Sequence, residues 1–127
     1  MPKSVLIADD VADVRLFLET LLTLDGYFEV VEEASDGAEA LRKCREVRPD
    51  VVLLDMNMPV RSGLDVLPEI RAALPGAVIA VFSGFKEQAL GSRTISAGAD
   101  AYLEKGTPVH QISEKLKELV EARSGGT

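Results

Sequence analysis

The chain has 127 residues, 46% hydrophobic and 28% charged, the length and balance of one globular domain with a core of useful size. Its formal charge of −7, from 21 acidic against 14 basic residues, argues against nucleic-acid binding, which needs a basic face. No apolar run approaches the roughly 20 residues of a membrane span, "MPKSVLIADD" is too short and acidic for a signal peptide, and the single cysteine, Cys44, excludes an internal disulfide and points to a cytoplasmic home.

Short apolar runs alternate with helical patterns along the whole chain. "SVLIA" (4–8) reads as a strand, and Val14, Leu18, Leu21 and Leu22 then mark a first helix by their three- and four-residue spacing. "YFEVVEEA" (27–34) precedes a helix marked by Ala38, Leu41, Cys44 and Val47, where Cys44 is a small core filler. "VVLLD" (51–55) is rich in β-branched residues and followed by a proline, hence a buried strand; Leu64, Leu67, Ile70 and Leu74 mark the third helix. "AVIAVFS" (77–83) leads to the weakest helical pattern, between 86 and 97, with Ala89, Leu90, Ile95 and Ala97 as its apolar side. "DAYLE" (100–104) is the last strand, and Ile112, Leu116, Leu119 and Val120 mark the last helix. Five strands alternating with five helices predict an α/β domain whose parallel sheet is covered on both faces through right-handed crossovers.

Boundary signals agree with this division. Asp36 with Glu39 reads as a capping box, and Thr107-Pro108 as a cap followed by proline at the first helical position. Pro68 falls inside the third helix and should bend it or delay its start, because its ring opposes the carbonyl of Leu64. Residues 1–122 are read as one domain, and 123–127 as a flexible tail or the start of a linker.

The acids at the strand ends need a reason. Ligands of an open parallel sheet bind beyond the carboxyl ends of the strands, where the strand order reverses. Asp9 and Asp10 follow the first strand and Asp55 ends the third, so adjacency of those strands would bring three carboxylates into one cleft. Such anions raise one another's pKa values unless a cation intervenes. A hard divalent ion with oxygen ligands, Mg²⁺, suits the set, and Lys105 past the fifth strand supplies a second positive charge. Asp55 could then act as a nucleophile toward a phosphoryl group. Taken singly, each residue has a plainer use: Asp9 or Asp10 as a helix cap, Asp55 and Ser83 as turn residues, Lys105 as a solvated lysine. Their joint placement at the same ends of four strands is what favours chemistry.

Together "VLIADD", "VVLLDMNMPVRSGLDVL", "VFSG" and "AGADAYLEKG" closely resemble the receiver domain of bacterial two-component response regulators, over roughly Lys3 to Val120. The resemblance implies a flavodoxin-like, doubly wound five-stranded parallel sheet of order 2-1-3-4-5 with five helices. It implies that Asp55 accepts a phosphoryl group from a histidine kinase or phosphotransfer protein, with Mg²⁺ held by Asp9, Asp10, Asp55 and the backbone carbonyl of Asn57. Ser83 and Lys105 would contact phosphoryl oxygens, and Tyr102 would be the switch aromatic that turns inward behind Ser83. That movement would alter the surface of the fourth helix, fifth strand and fifth helix, signalling to an output domain or partner protein and allowing a homodimer on phosphorylation. Such a domain catalyses only its own phosphorylation and dephosphorylation and is not otherwise an enzyme. The first helix, with Val11, Val14 and Arg15, is where the family docks its kinase.

Two departures from the family pattern stand out. Gly106 replaces the usual proline after the lysine, and Gly84 the common alanine after the hydroxyl residue. Phe85 and Asn57 occupy positions that would tune phosphate lifetime. Three rival readings fare worse. A flavodoxin-type cofactor binder would not place the acidic "ADDVAD" where a flavin phosphate must sit. An aspartyl phosphohydrolase carries a second acid two residues after its nucleophile, where this chain has Asn57, which cannot transfer a proton in that way. A degenerate receiver, used only for protein contact, would have lost part of the set. His110, Arg61 and Arg93 read as solvated residues, and Met56 and Met58 as gap-fillers. The cognate kinase, the signal and the output are not written in the residues.

Overall fold

Each apolar run forms a strand. The computed structural model describes residues 1–125, and the side chains of residues 1–123. Its strands are β1 (Lys3–Ala8), β2 (Phe28–Ala34), β3 (Val51–Leu54), β4 (Val78–Ser83) and β5 (Ala101–Glu104). They alternate with α1 (Ala12–Thr23), α2 (Gly37–Val47), α3 (Gly63–Ala73), α4 (Glu87–Ala97) and α5 (Val109–Gly125). All strand pairs are parallel, in the order β2-β1-β3-β4-β5. The order reverses between β1 and β3, so the crevice of the switch point opens where Asp9, Asp10 and Asp55 lie.

Helices cover both faces, which is why the central strands read as unbroken apolar runs. On one face Val5, Ile7, Leu53, Ala80, Phe82 and Leu103 pack with Leu18 and Leu22 of α1 and Ile112, Leu116 and Val120 of α5. On the other, Leu6, Ala8, Val52, Leu54, Ile79, Val81 and Tyr102 pack with residues of α2, α3 and α4. The two-residue period of β5 therefore turns Tyr102 toward α4 and Leu103 toward α5. Cys44 is a buried filler as expected, and burial pushes its thiol pKa up to about 12, which leaves it inert at neutral pH.

Several boundaries differ from the expectations. The α2 cap forms: Asp36 accepts the N–H of Glu39 at 2.7 Å, while the Glu39 carboxylate reaches back to the N–H of Ser35 rather than of Asp36. Pro68 does not delay the start of α3, because Ser62 caps the helix at Gly63 by accepting from Asp65 N–H, and Pro68 stands on its exposed side. The helix α5 opens at Val109, one residue past Pro108. It then runs through Gly125, so residues 123 to 125 are helix where a tail was expected; Gly126 and Thr127 lie outside the described residues. Arg123 explains the extension, since its guanidinium donates to Asp100 at 2.6 Å. The buried side of α4 is also rotated from the expected one. Gly91 and Thr94 are buried and Leu90 and Ala97 half-buried, whereas Ala89 and Ile95 are exposed. Thr94 is tolerated inside because its hydroxyl donates to the Gly91 carbonyl at 2.8 Å.

Candidate functional site

Three of the four residues singled out by charge, Asp9, Asp55 and Lys105, share one backbone device. Each is the first residue past its strand, and each still donates its N–H to the last residue of a neighbouring strand. Asp9 donates to Ala34 of β2 at 3.0 Å, Asp55 to Ala8 of β1 at 2.9 Å, and Lys105 to Ser83 of β4 at 2.8 Å. The strands end one residue earlier than the sequence suggests for Asp55, but the ladder carries on through it. These side chains therefore leave the sheet edge from positions fixed by backbone bonds rather than from mobile loops.

They converge. A carboxylate oxygen from each of Asp9, Asp10 and Asp55 lies within 4.8 Å of the others. Lys105 Nζ stands 3.0 Å from Asp9 Oδ2 and 3.6 Å from Asp55 Oδ2. Asp9 and Asp55 are buried, at 1% and 4% exposure, while Asp10 faces solvent. Asp9 is held further by the Val11 N–H, which donates to its Oδ1 at 2.9 Å. Burial raises the pKa of Asp55 above its ordinary value of 3.8, the neighbouring charges of Asp9 and Asp10 raise it further, and Lys105 and the Asn57 N–H oppose them. Burial disfavours the Lys105 ammonium, yet its hydrogen bond to Asp9 and the charges of Asp55 and Asp9 prevail and raise its pKa above the usual 10.5. Three carboxylates against one ammonium leave the cleft short of positive charge. An all-oxygen donor set of that charge can hold a hard divalent cation.

An open cleft of about 380 Å³ lies over this set, lined by Asp10, Val11, Asp55, Asn57, Ser83, Gly84, Phe85 and Lys105. Ser83 is fully buried at the end of β4, and its Oγ accepts the Phe85 N–H at 3.2 Å. That bond uses one acceptor position and leaves the hydroxyl proton free to donate. Tyr102 is buried and turned inward, with its OH donating to the Phe85 carbonyl at 2.8 Å. Phe85 itself is half exposed at the cleft. Asn57 is exposed, and its N–H points at Asp55 Oδ1 from 3.4 Å. Asp9, Asp10, Asp55, Asn57, Ser83 and Lys105 thus lie together, and Tyr102 reaches the cleft only through its bond to Phe85.

Three residues have supporting roles that the sequence reading did not assign to them. Arg15 of α1 donates to the backbone carbonyl of Asp9 at 2.6 Å and to Glu33 at 2.9 Å, so it holds the acidic loop from below. Gly63 opens α3 against the Asp55 backbone; a Cβ there would sit 1.9 Å from the Asp55 carbonyl oxygen. Glu104 accepts the Glu87 N–H at 2.9 Å. Only Gly63 had a visible signal, as the glycine closing the loop that follows Asp55. The remaining candidates do not line the cleft, and of them Arg61 departs from its expected solvated state. Met56 and Met58 are buried in the core, and His110 is exposed on α5. Arg93 is exposed, and Arg61 is engaged by Asp65 and Glu69 of α3.

The model of the family described as the response regulator receiver domain matches residues 5–117. The chain belongs to that family. This receiver domain is 39% identical over 119 residues to the chemotaxis protein CheY of Thermotoga maritima, covering 94% of this chain and 98% of CheY. It is 39% identical over 122 residues to the transcriptional regulatory protein PrrA of Mycobacterium leprae, of which it spans about half the length, 50%. Among solved structures, the REC domain of AraT, a response regulator from Geobacillus stearothermophilus, superposes with a TM-score of 0.88 at 32% identity, covering 99% of this chain and 98% of that one. Among the described residues, no helix of this receiver is long and apolar enough to cross a membrane.

Proposed function

We propose that this receiver takes a phosphoryl group on Asp55 from a phosphohistidine of a histidine kinase or phosphotransfer protein and relays the event to an output domain or partner. The observation that carries the reading is the placement of Asp55: buried, fixed by a ladder bond to Ala8, within 4.8 Å of two further carboxylates and 3.6 Å from Lys105. A carboxylate oxygen of Asp55 attacks phosphorus in line with the P–N bond. That bond breaks with its electron pair returning to the imidazole nitrogen, and an acyl phosphate forms on Asp55. Lys105, freed from part of its contact with Asp55, neutralises one phosphoryl oxygen, and Ser83 donates its hydroxyl proton to another. Asp9, Asp10, Asp55 and the backbone carbonyl of Asn57 would hold Mg²⁺, which supplies charge neutralisation at the transferring group.

The switch follows from the same loop. Pulling Ser83 toward a phosphoryl group moves Phe85, to whose carbonyl Tyr102 is bonded, and hence α4, which starts two residues later. The α4–β5–α5 surface then changes, as phosphorylation biases a two-state element. Homodimerisation through that surface belongs to the same reading.

Intact-mass measurement after incubation with Mg²⁺ and a small acyl phosphate donor tests it. A phosphate-sized gain that needs Mg²⁺ and is absent from Asp55→Asn is the expected result. A gain that persists in Asp55→Asn would assign the acceptor elsewhere, and no gain with either a small donor or a phosphorylated kinase would end the proposal.

A further inference from the structure

The helix α4 has no side-chain cap of its own. Its N-cap residue, Lys86, makes no capping bond, and the first N–H groups of a helix need partners from outside it. The missing acceptor comes from β5: one oxygen of Glu104 takes the Glu87 N–H at 2.9 Å, and the other lies 3.6 Å from Lys86 Nζ. A carboxylate at that end also meets the positive pole of the helix dipole.

The placement is systematic. Tyr102 and Glu104 are two residues apart on β5 and share the face that looks to α4. Phe85 in the loop and Glu87 at the start of α4 are two residues apart, and they receive those two side chains in the same order. Lys105 N–H completes the row on the Ser83 carbonyl. So residues 83, 85 and 87 are each held from the end of β5, although Gly84, Phe85, Lys86 and Glu87 all lie exposed at the surface.

Resting on the phosphoryl reading above, we propose that Glu104 is a positioning residue for Ser83, capping α4 from β5 and thereby setting how firmly the β4–α4 loop closes over a phosphoryl group. Glu104 touches none of Asp9, Asp10 or Asp55, so its loss loosens the loop and leaves the acidic set in place. It acts on retention of the phosphoryl group through Ser83.

Wild type, Glu104→Ala and Glu104→Gln are compared in two measurements: amide hydrogen exchange across residues 84–90, and titration with beryllofluoride in Mg²⁺. In Glu104→Ala the Glu87 amide should exchange about tenfold faster and beryllofluoride should bind several-fold more weakly, as loss of a charge-assisted bond in a local opening unit predicts. Glu104→Gln keeps an acceptor oxygen and should restore both to within about twofold of wild type. Faster exchange with unchanged beryllofluoride affinity reduces Glu104 to a structural cap and overturns the positioning role. Unchanged exchange in Glu104→Ala overturns the cap as well. A wild type that binds no beryllofluoride overturns the phosphoryl reading and the positioning role with it, and slow exchange at Glu87 in that sample would still mark the cap.

Discussion

Asp55 is held at a cost to the fold. Burial and the neighbouring Asp9 raise its pKa above 3.8 in spite of Lys105. An acid whose folded pKa is raised holds its proton more tightly folded than unfolded. Its favourable contribution is therefore complete below about 3.8 and is lost as pH rises through the raised value. Asp55→Asn carries no charge to penalise, so it should be more stable than wild type by about 1 kcal/mol near neutral pH, in keeping with the stability that functional sites forgo. Urea denaturation at about pH 7 and about pH 4 should show that gap closing on acidification; a gap that widens would contradict the origin given for it. Gly63 sits on the other side of the same backbone. Gly63→Ala drives a Cβ to 1.9 Å from the Asp55 carbonyl oxygen and should cost at least the roughly 1–3 kcal/mol of an overpacked core, with loss of phosphorylation. Gly76→Ala is the control, since nothing lies within 4 Å of its added Cβ and little stability should change.

Among the elements, stability and chemistry separate along the sheet. Asp36 caps α2 and does not line the cleft, so Asp36→Ala should lower stability by about 1 kcal/mol while the yield of phosphorylated protein stays unchanged. At the opposite edge of the sheet from the site, Asp100 ties three elements. It accepts from Arg71 of α3 at 2.7 Å, from Arg123 of α5 at 2.6 Å, and from the Ile79 N–H of β4 at 2.8 Å. Asp100→Ala leaves two half-buried guanidinium groups without their anion and should cost about 2–3 kcal/mol by thermal unfolding. A smaller cost would mean that the Arg71 bonds to the carbonyls of Leu74, Ala77 and Gly98 already secure that corner. The helices whose apolar spacing is plain, α1, α2 and α5, were legible from the chain alone. The face of α4 was not. Its buried positions include Gly91 and Thr94, which carry no apolar signal, and Thr94 is admitted only by a bond to its own helix.

For the molecule as a whole, the excess of acid in the cleft links metal binding to folding. Whatever binds the folded state alone stabilises it, by about 2.7 kcal/mol when the free ligand is about 100 times its Kd. Mg²⁺ should therefore raise the Tm of wild type by several degrees in a domain of this size. The rise should shrink sharply in Asp55→Asn, which lacks one of the charges that draw the ion. Equal shifts in both proteins would place the ion elsewhere on a surface of formal charge −7.

The sequence by itself determined the number and order of the elements, because strands buried on both faces must be unbroken apolar runs and amphipathic helices must repeat every three to four residues. It also marked the charged residues at the strand ends, since an acid directly after a core strand is conspicuous in one dimension. Tertiary structure alone decided that Asp9, Asp55 and Lys105 are pinned by N–H bonds to Ala34, Ala8 and Ser83, because those partners belong to other strands. It alone decided that Arg15 grips the Asp9 carbonyl, that Gly63 must lack a side chain beside Asp55, and that α4 borrows its cap from Glu104. Each of these is a contact between backbone groups or across 6 to 17 residues of chain. Backbone atoms are the same in every residue, so apart from the glycine at position 63 no pattern of side chains along the chain could announce them.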